Sequence, residues 1–366
     1  MPNPPFPLRV VQLTPPGRGA VATLRVEGLG AVEAVESHFR ARGGHPLAAY
    51  AADEIVVGRF GGDSGEEVVV RRCGDAAVEV HCHGGRAAVA RIEQSLVVAG
   101  CRPVTWQEWT KAQSDDPIAA AALIALAEAR TERTAAILLD QYHGVLRRAM
   151  DEIREEIERG DGASARRRID ALLARESLGR HLTRPWSIVL AGRINVGKSS
   201  LLNVLAGYGR AIVHPTPGTT RDAVAVATAV DGWPVEFCDT AGLRAADDAV
   251  ERAGIERARE RLAAADLVIL VADRSLPWSA EDQALAEQWP AAVLVHNKSD
   301  LPASPCDRPA GISTSALCGE GIGALLATIA RRLVPDPPPP GTPVPFSSEQ
   351  VGVLHRWLAA AAAQGP

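Results

Sequence analysis

The chain lacks any run of about 18 apolar residues, the length a membrane-crossing helix needs. Its longest apolar stretch, residues 117–127, is too short and reads as a buried helix. The opening, MPNPPFPLRVVQL, lacks the basic and apolar regions of a secretory leader. No C-x-x-C pair occurs among the six cysteines (Cys73, Cys82, Cys101, Cys238, Cys306 and Cys318), which argues against a zinc ribbon or a disulfide framework. The expectation is a reduced, cytoplasmic protein. There is no basic excess to advertise a nucleic-acid binder, since the net charge is −5 and the pI about 6.0. Internal repeats are also missing. Lysine is scarce and arginine abundant, a bias of coding composition that says nothing about function. What is present is ordinary globular material: 366 residues, 46% hydrophobic and 23% charged. A chain of that length divides into two or three domains.

Composition changes along the chain place the divisions. Residues 1–112 carry short strand-like runs (LRVVQL, GAVATLRV, DEIVVGRF, EEVVVRRC, AAVEVHC), with helices expected at 30–41 and 85–99. This reads as a small α+β domain. Residues 113–184 read as helical, with Pro117 suited to a first turn. Ile153 and Ile157 share a face of a charged helix over 151–159, and Gly160, Asp161 and Gly162 break it. A further helix is expected over 166–180, with Ile169, Leu172 and Leu173 as its apolar stripe. Its arginine run, 166–168, reads as a solvated face rather than an RNA contact. Residues 185–334 alternate strand and helix as a doubly wound α/β domain does. A proline-rich linker follows over 335–346, and a short helix over 347–366.

The sequence GRINVGKS over 192–199 matches G-x-x-x-x-G-K-[ST]. A buried-strand run, SIVLA, precedes it, and a helical run, SSLLNVLAG, follows. Glycines such as Gly197 let backbone N–H groups of Asn195, Val196 and their neighbours turn inward around phosphate oxygens, and the start of the following helix, at Ser199 and Ser200, adds its positive dipole. Lys198 neutralises the β- and γ-phosphates, and the Ser199 hydroxyl is a magnesium ligand.

Asn297, Lys298, Ser299 and Asp300 follow another strand run. Guanine offers two adjacent donors, and the Asp300 carboxylate can accept both, whereas adenine would face it with an acceptor. Asn297 can brace the loop and the Lys298 stem can cover the base. Ser315 and Ala316 can point a backbone N–H at the guanine oxygen. Together these favour GTP over ATP. Asp239, in DTAG over 239–242, is placed to hold magnesium through water, and the Gly242 N–H can meet the γ-phosphate. In PGTTRD over 217–222, Thr220, or its neighbour Thr219, can close over the metal. Leu243 stands where many GTPases carry a water-orienting glutamine. Candidates for that task are Arg244, Asp247, Asp248, Glu251 and Glu256. Asn195 is an oxygen-bearing residue suited to a monovalent cation. His81 and His83 flank Cys82, but on a strand the histidines point one way and the cysteine the other, with no second ligand group nearby.

These motifs resemble the MnmE (TrmE) family of tRNA-modification GTPases. The resemblance is carried by GRINVGKSSLLN (192–203), PGTTRD (217–222), DTAGLR (239–244), VERAGIERA (250–258), NKSD (297–300) and SALCGEGI (315–322). TPPGRGAVATLRVEG (14–28) and VEVHCHGG (78–85) match the family's opening and its HGG segment. The resemblance implies an N-terminal domain that binds a tetrahydrofolate derivative and forms a homodimer, and a helical domain surrounding an inserted G domain. It implies G domains that pair with potassium held partly by Asn195, and water positioned by Glu251. It also implies work with an FAD-containing MnmG-like partner on the wobble uridine of tRNA; from the lack of a long apolar run, no membrane partner is expected. The chain departs from the family in three places. Only SSEQVGVLHRWLAAAAAQGP follows the linker, without the family's C-x-G-K motif. Residues 106–123 lose a phenylalanine and an asparagine–lysine pair, and the Gly61–Gly65 loop is abbreviated. The alternative reading is a shortened paralogue acting as a GTP switch or scaffold outside tRNA modification.

Overall fold

The computed structural model describes residues 7–17, 19–62, 65–208, 225–239 and 262–363. The chain forms two compact units, residues 1–115 and 116–366.

The first unit is built on strands β1 (Arg9–Gln12), β2 (Val21–Glu27), β3 (Phe39–Ala41), β4 (Ile55–Phe60), β5 (Glu66–Arg72), β6 (Ala77–His83) and β7 (Arg102–Pro103). They form one sheet in the order β3-β4-β5-β6-β2-β1-β7, antiparallel except where β1 meets β7. Burial alternates along β4 and β6, so one face is packed. Helices α1 (Ala31–Glu36) and α2 (Arg86–Val98) supply Val32, Val35, Ile92 and Leu96 to a core with Leu24, Val26, Phe60, Val70 and Val80. The helix expected over 30–41 stops at Glu36. Phe39–Ala41 pairs with β4 instead, Phe39 opposite Phe60, because sheet pairing buries the phenylalanine that one more helical turn would not. Helix α3 (Trp106–Gln113) starts at a capping box between Thr105 and Glu108. Trp109 Nε1 (2.9 Å) and Gln113 Nε2 (3.0 Å) both donate to Glu27, which also pairs with Arg9 and Arg25. Burial alone would raise the Glu27 carboxyl, but the donors from Arg25, Trp109 and Arg9 outweigh it and hold it below the usual range.

The second unit opens with α4 (Pro117–Glu128), α5 (Glu132–Tyr142), α6 (Val145–Glu158), α7 (Gly162–Leu173) and α8 (Glu176–Arg180). The charged helix α6 ends at Glu158, so the break expected at 160–162 is present, but Gly162 already belongs to α7, because the Asp161 carboxylate caps the turn by accepting from Ser164 N at 3.0 Å. The helix expected over 166–180 is divided between α7 and α8. Several of the arginines on α6 and α7 are spent on neighbouring carboxylates, as in Arg168 with Glu152 and Glu156.

The α/β part contains β8 (Trp186–Ala191), α9 (Lys198–Tyr208), β9 (Ala225–Val230), β10 (Trp233–Asp239), β11 (Leu267–Asp273), α10 (Ala280–Gln288), β12 (Val293–Asn297), β13 (Ile312–Ser313) and α11 (Ile322–Leu333). Its sheet runs β13-β12-β11-β8-β10-β9, parallel except for the edge strand β9. β11 is buried along its whole length, as a central strand covered on both faces must be. Leu201 and Leu205 of α9 and Ile322, Leu325 and Ile329 of α11 cover one face, and Leu285 of α10 packs on the other.

The polypeptide then returns to its helices. Gly341 N donates to Asp140, Val344 N donates to the Gln141 side chain, and Gln141 Nε2 donates to Thr342 O, so the proline-rich segment lies along α5. Helix α12 (Ser348–Ala363) packs Leu354 and Ala361 against Leu146, Met150, Ile153, Ile169 and Leu172 of α6 and α7. Segments from both sides of the α/β part in sequence thereby share one helical core. Arg133 of α5 holds the β9–β10 turn, pairing with Asp231 at 2.9 Å and lying over the Trp233 ring. No helix among the described residues is long and apolar enough to cross a membrane. The described cysteines are free thiols, and burial pushes Cys101 up to about 11.

Candidate functional site

The ends of parallel strands converge on one edge of the α/β part, where a ligand crevice is expected in such sheets. The phosphate loop leaves β8 and enters α9. Three of its residues are left-handed: Gly192 (φ 140°), Asn195 (φ 64°) and Gly197 (φ 92°). A Cβ on Gly192 would fall 2.1 Å from the Val271 carbonyl oxygen, and one on Gly197 would fall 2.4 Å from Asn297 Nδ2. Both glycines are therefore required by close approach as well as by backbone angle. Lys198 is buried, and its ammonium donates to the carbonyls of Gly192 (2.9 Å) and Arg193 (2.7 Å) within the loop. Of the three lysines in the chain, two are Lys198 and Lys298.

Ser199 Oγ donates to Asp239 Oδ2 at 2.5 Å. A hydroxyl and a buried carboxylate side by side, at the start of a helix and the end of β10, form the hard-oxygen donor set that suits magnesium. Asn195 is exposed on the same loop and Ser200 in the first turn of α9, and Val196 is buried.

The base loop is joined to the phosphate loop. Asn297, almost fully buried at the end of β12, donates from Nδ2 to the Val196 carbonyl at 2.9 Å. Its Oδ1 accepts from Ala316 N (3.2 Å) and Thr314 Oγ1 (3.3 Å). Asp300 accepts from Ser315 Oγ at 2.5 Å, and that same Oγ accepts from the N–H groups of Leu317 and Cys318. Ser299 Oγ donates to Glu320 at 2.7 Å, tying the base loop to the turn that follows Ser315. The sequence-expected residues Asn195, Val196, Gly197, Lys198, Ser199, Ser200, Asp239, Asn297, Lys298, Asp300, Ser315 and Ala316 thus lie in the connected loops at this edge and in the ends of α9, β10 and β12 beside them. Thr219, Thr220, Gly242 and Glu251 lie outside the described residues, as do Leu243, Arg244, Asp247, Asp248 and Glu256.

Some supporting residues escaped the sequence reading. Arg193 reaches from the phosphate loop to Glu281 (3.5 Å), Asp282 (3.4 Å) and Ser279 (3.3 Å) at the start of α10. Asp273, opposite Asn297 in the β11–β12 register, pairs with Lys298 at 2.6 Å. Thr314 props Asn297. The capping pattern S-x-x-D at 279–282 was visible in the sequence, but nothing local pointed it at Arg193. At the other unit, His81 meets Thr23 Oγ1 and His83 meets Glu66, while Cys82 is buried. No grouping of three or more His, Cys, Asp or Glu that could hold a metal occurs among the described residues.

Residues 187–298 match the family described as 50S ribosome-binding GTPase. A tRNA modification GTPase MnmE of Symbiobacterium thermophilum is 36% identical over 365 residues, covering 86% of this chain and 80% of that protein. A tRNA modification GTPase MnmE of Geobacillus thermodenitrificans is 35% identical over 370 residues, covering 87% and 80%. Among solved structures, the G domain of the T. maritima FeoB iron transporter aligns at 26% identity with a TM-score of 0.29, over 41% of this chain and 99% of that one.

Proposed function

The chain belongs to the MnmE family of tRNA modification GTPases and is a GTP hydrolase, and from that premise we propose that its hydrolysis serves modification of the wobble uridine of tRNA in the cytoplasm. The observation that carries the nucleotide reading is the Asn297–Val196 bond, which makes the guanine loop and the phosphate loop one site. In this reading Asp300 accepts the two guanine donors, Ala316 N–H faces the guanine oxygen, and the Lys198 ammonium exchanges its loop carbonyls for phosphate oxygens. Ser199, Thr220 and Asp239 would hold magnesium, which would supply positive charge against the β- and γ-phosphates. Asn195 would help to hold potassium, which would supply further positive charge beside the phosphates. Glu251 orients the attacking water, and the Gly242 N–H meets the γ-phosphate.

The division of labour follows the sequence boundaries. Residues 185–334 hydrolyse GTP, residues 113–184 carry the helical segment, and residues 1–112 hold a tetrahydrofolate derivative and pair with a second copy. An FAD-containing MnmG-like protein and tRNA are the partners. A GTP switch outside tRNA modification is the second reading. It is favoured by the segment 106–123, which departs from the family's pattern and commits Trp109 and Gln113 to Glu27.

The test is GTP hydrolysis by the purified chain in potassium against sodium at equal ionic strength, over a range of protein concentrations, with tRNA capture measured alongside. Potassium activation that rises with concentration, together with tRNA capture in the GTP state, supports the reading. Hydrolysis indifferent to both, with no tRNA captured, supports the switch.

A further inference from the structure

Lys298 has φ 65°, a left-handed backbone that is unfavourable for a residue with a side chain. Such strain persists only where the surroundings over-determine it. Two backbone bonds hold the turn: Ser299 N donates to Thr314 O at 2.9 Å, and Leu301 N donates to Lys298 O at 3.0 Å. The third restraint acts at the far end of the side chain, where the ammonium lies 2.6 Å from Asp273 Oδ2.

Asp273 is built for that contact. It ends β11, directly opposite Asn297, and is 8% exposed. Its Oδ1 accepts from Ser275 N (2.9 Å) and Ser275 Oγ (2.6 Å), which fixes the carboxylate plane and leaves Oδ2 facing the ammonium. Burial alone would raise this carboxyl, but the donors from Lys298 and Ser275 outweigh it and hold it below the usual range. The four-carbon stem of Lys298 is therefore pinned at both ends, by a constrained backbone and by an oriented carboxylate.

We propose that Asp273 is a positioning residue for the bound base: by clamping the Lys298 ammonium it stretches the stem into a fixed apolar wall for the face of the purine ring. This rests on the reading of 297–300 as the guanine loop. Methylene groups can cover an aromatic face while the charged head stays on a polar partner. A wall of this kind does not read the hydrogen-bonding edge of the base, which is the task of Asp300. Asp273 acts on purine affinity, and Asp300 acts on the choice between purines.

The experiment measures affinities of GDP, inosine diphosphate and xanthosine diphosphate by titration calorimetry, and GTP turnover, for wild type, Asp273→Asn, Ser275→Ala, Lys298→Ala, Asp300→Asn and the Asp273→Asn/Lys298→Ala double variant. Asp273→Asn is expected to weaken GDP and inosine diphosphate by the same factor, about 10-fold, raising KM while kcat at saturating GTP holds. The double variant is expected to bind no more weakly than Lys298→Ala alone, since the carboxylate acts through the lysine. Ser275→Ala is expected to give a smaller loss that also vanishes in the Lys298→Ala background, and it serves if Asp273→Asn does not fold. Losses that add in the double variant, or wild-type affinity in Asp273→Asn, overturn the assignment. If Asp300→Asn leaves the preference for GDP over xanthosine diphosphate unchanged, the guanine-loop reading fails and this inference with it. If Asp300→Asn shifts that preference and Asp273→Asn changes nothing, only the role of Asp273 is overturned.

Discussion

Asn297 Nδ2 donates to the Val196 carbonyl at 2.9 Å, joining two loops whose residues stand 101 positions apart. Through this one side chain, the loop proposed to meet the base and the loop proposed to meet the phosphates are held together. Asn297→Ala removes that bond and strands the Val196 carbonyl and Thr314 Oγ1 in a buried setting, and it frees the half-buried Ala316 N. With about 1–3 kcal/mol for each buried polar group left unpaired, GDP affinity is expected to fall by about 10- to 100-fold. Fluorescent-nucleotide titration reads the loss. Wild-type affinity in the variant would mean the two loops are spaced by something else.

Ser199→Ala takes away the hydroxyl that stands 2.5 Å from Asp239. GTP turnover is expected to fall by about 100-fold or more, because the magnesium donor set loses a direct oxygen. GDP binding measured without magnesium should change far less. A variant that hydrolyses GTP at the wild-type rate would exclude Ser199 from the metal site.

His296 stands one residue before Asn297, nearly fully buried, with Nε2 facing the Pro309 carbonyl at 2.9 Å. Burial, with help from Arg308 and Arg274, pushes its pKa down against the raising effect of the Pro309 bond and Asp282. The unfolded chain then binds a proton that the folded chain refuses. Stability from this residue is full above the unfolded pKa of about 6.5 and is lost as pH falls below it. Thermal unfolding from pH 7.5 to pH 5.5 should show the wild type losing more than His296→Gln, which keeps a donor for Pro309 and cannot titrate. Equal losses would contradict the burial argument.

Gly179 in α8 lies under the proline-rich segment, and a Cβ there would sit 1.8 Å from the Pro345 carbonyl oxygen. Gly179→Ala forces backbone apart from backbone, at a cost of about 1–3 kcal/mol. The expected outcome is a melting temperature lower by a few degrees with GDP affinity retained, since the site is built on other elements. An unchanged melting temperature would mean the segment is not packed at Val344 and Pro345.

The strands of the first unit were legible because their apolar residues alternate, and β4 and β6 fall where that alternation is cleanest. The turn from α1 into β3 was not, since Phe39 is decided by its partner Phe60 across the sheet rather than by its neighbours in the chain. The start of α7 turned on a single cap: Asp161 makes Gly162 a first-turn residue, where composition alone suggested a break. In the proposed site, glycines and a lysine at set spacing pointed to a phosphate loop, and NKSD pointed to a base loop. Their scaffolding, Arg193 on Glu281 and Asp282, and Asp273 under Lys298, carried no such announcement.

By itself, the sequence determined the chemistry that a few consecutive residues can encode. The left-handed glycines of the phosphate loop, the hydroxyl beside its lysine and the acceptor pattern of 297–300 are local, and a short stretch of backbone suffices to specify them. Only the tertiary structure decided which of these local devices meet. The β11–β12 register sets Asp273 beside Asn297, parallel strands bring Val196 to Asn297, and burial of Leu354 returns α12 to the helices that precede the α/β part. The physical reason is that register and packing arise from contacts between residues remote in the chain, and their energy belongs to the assembled core.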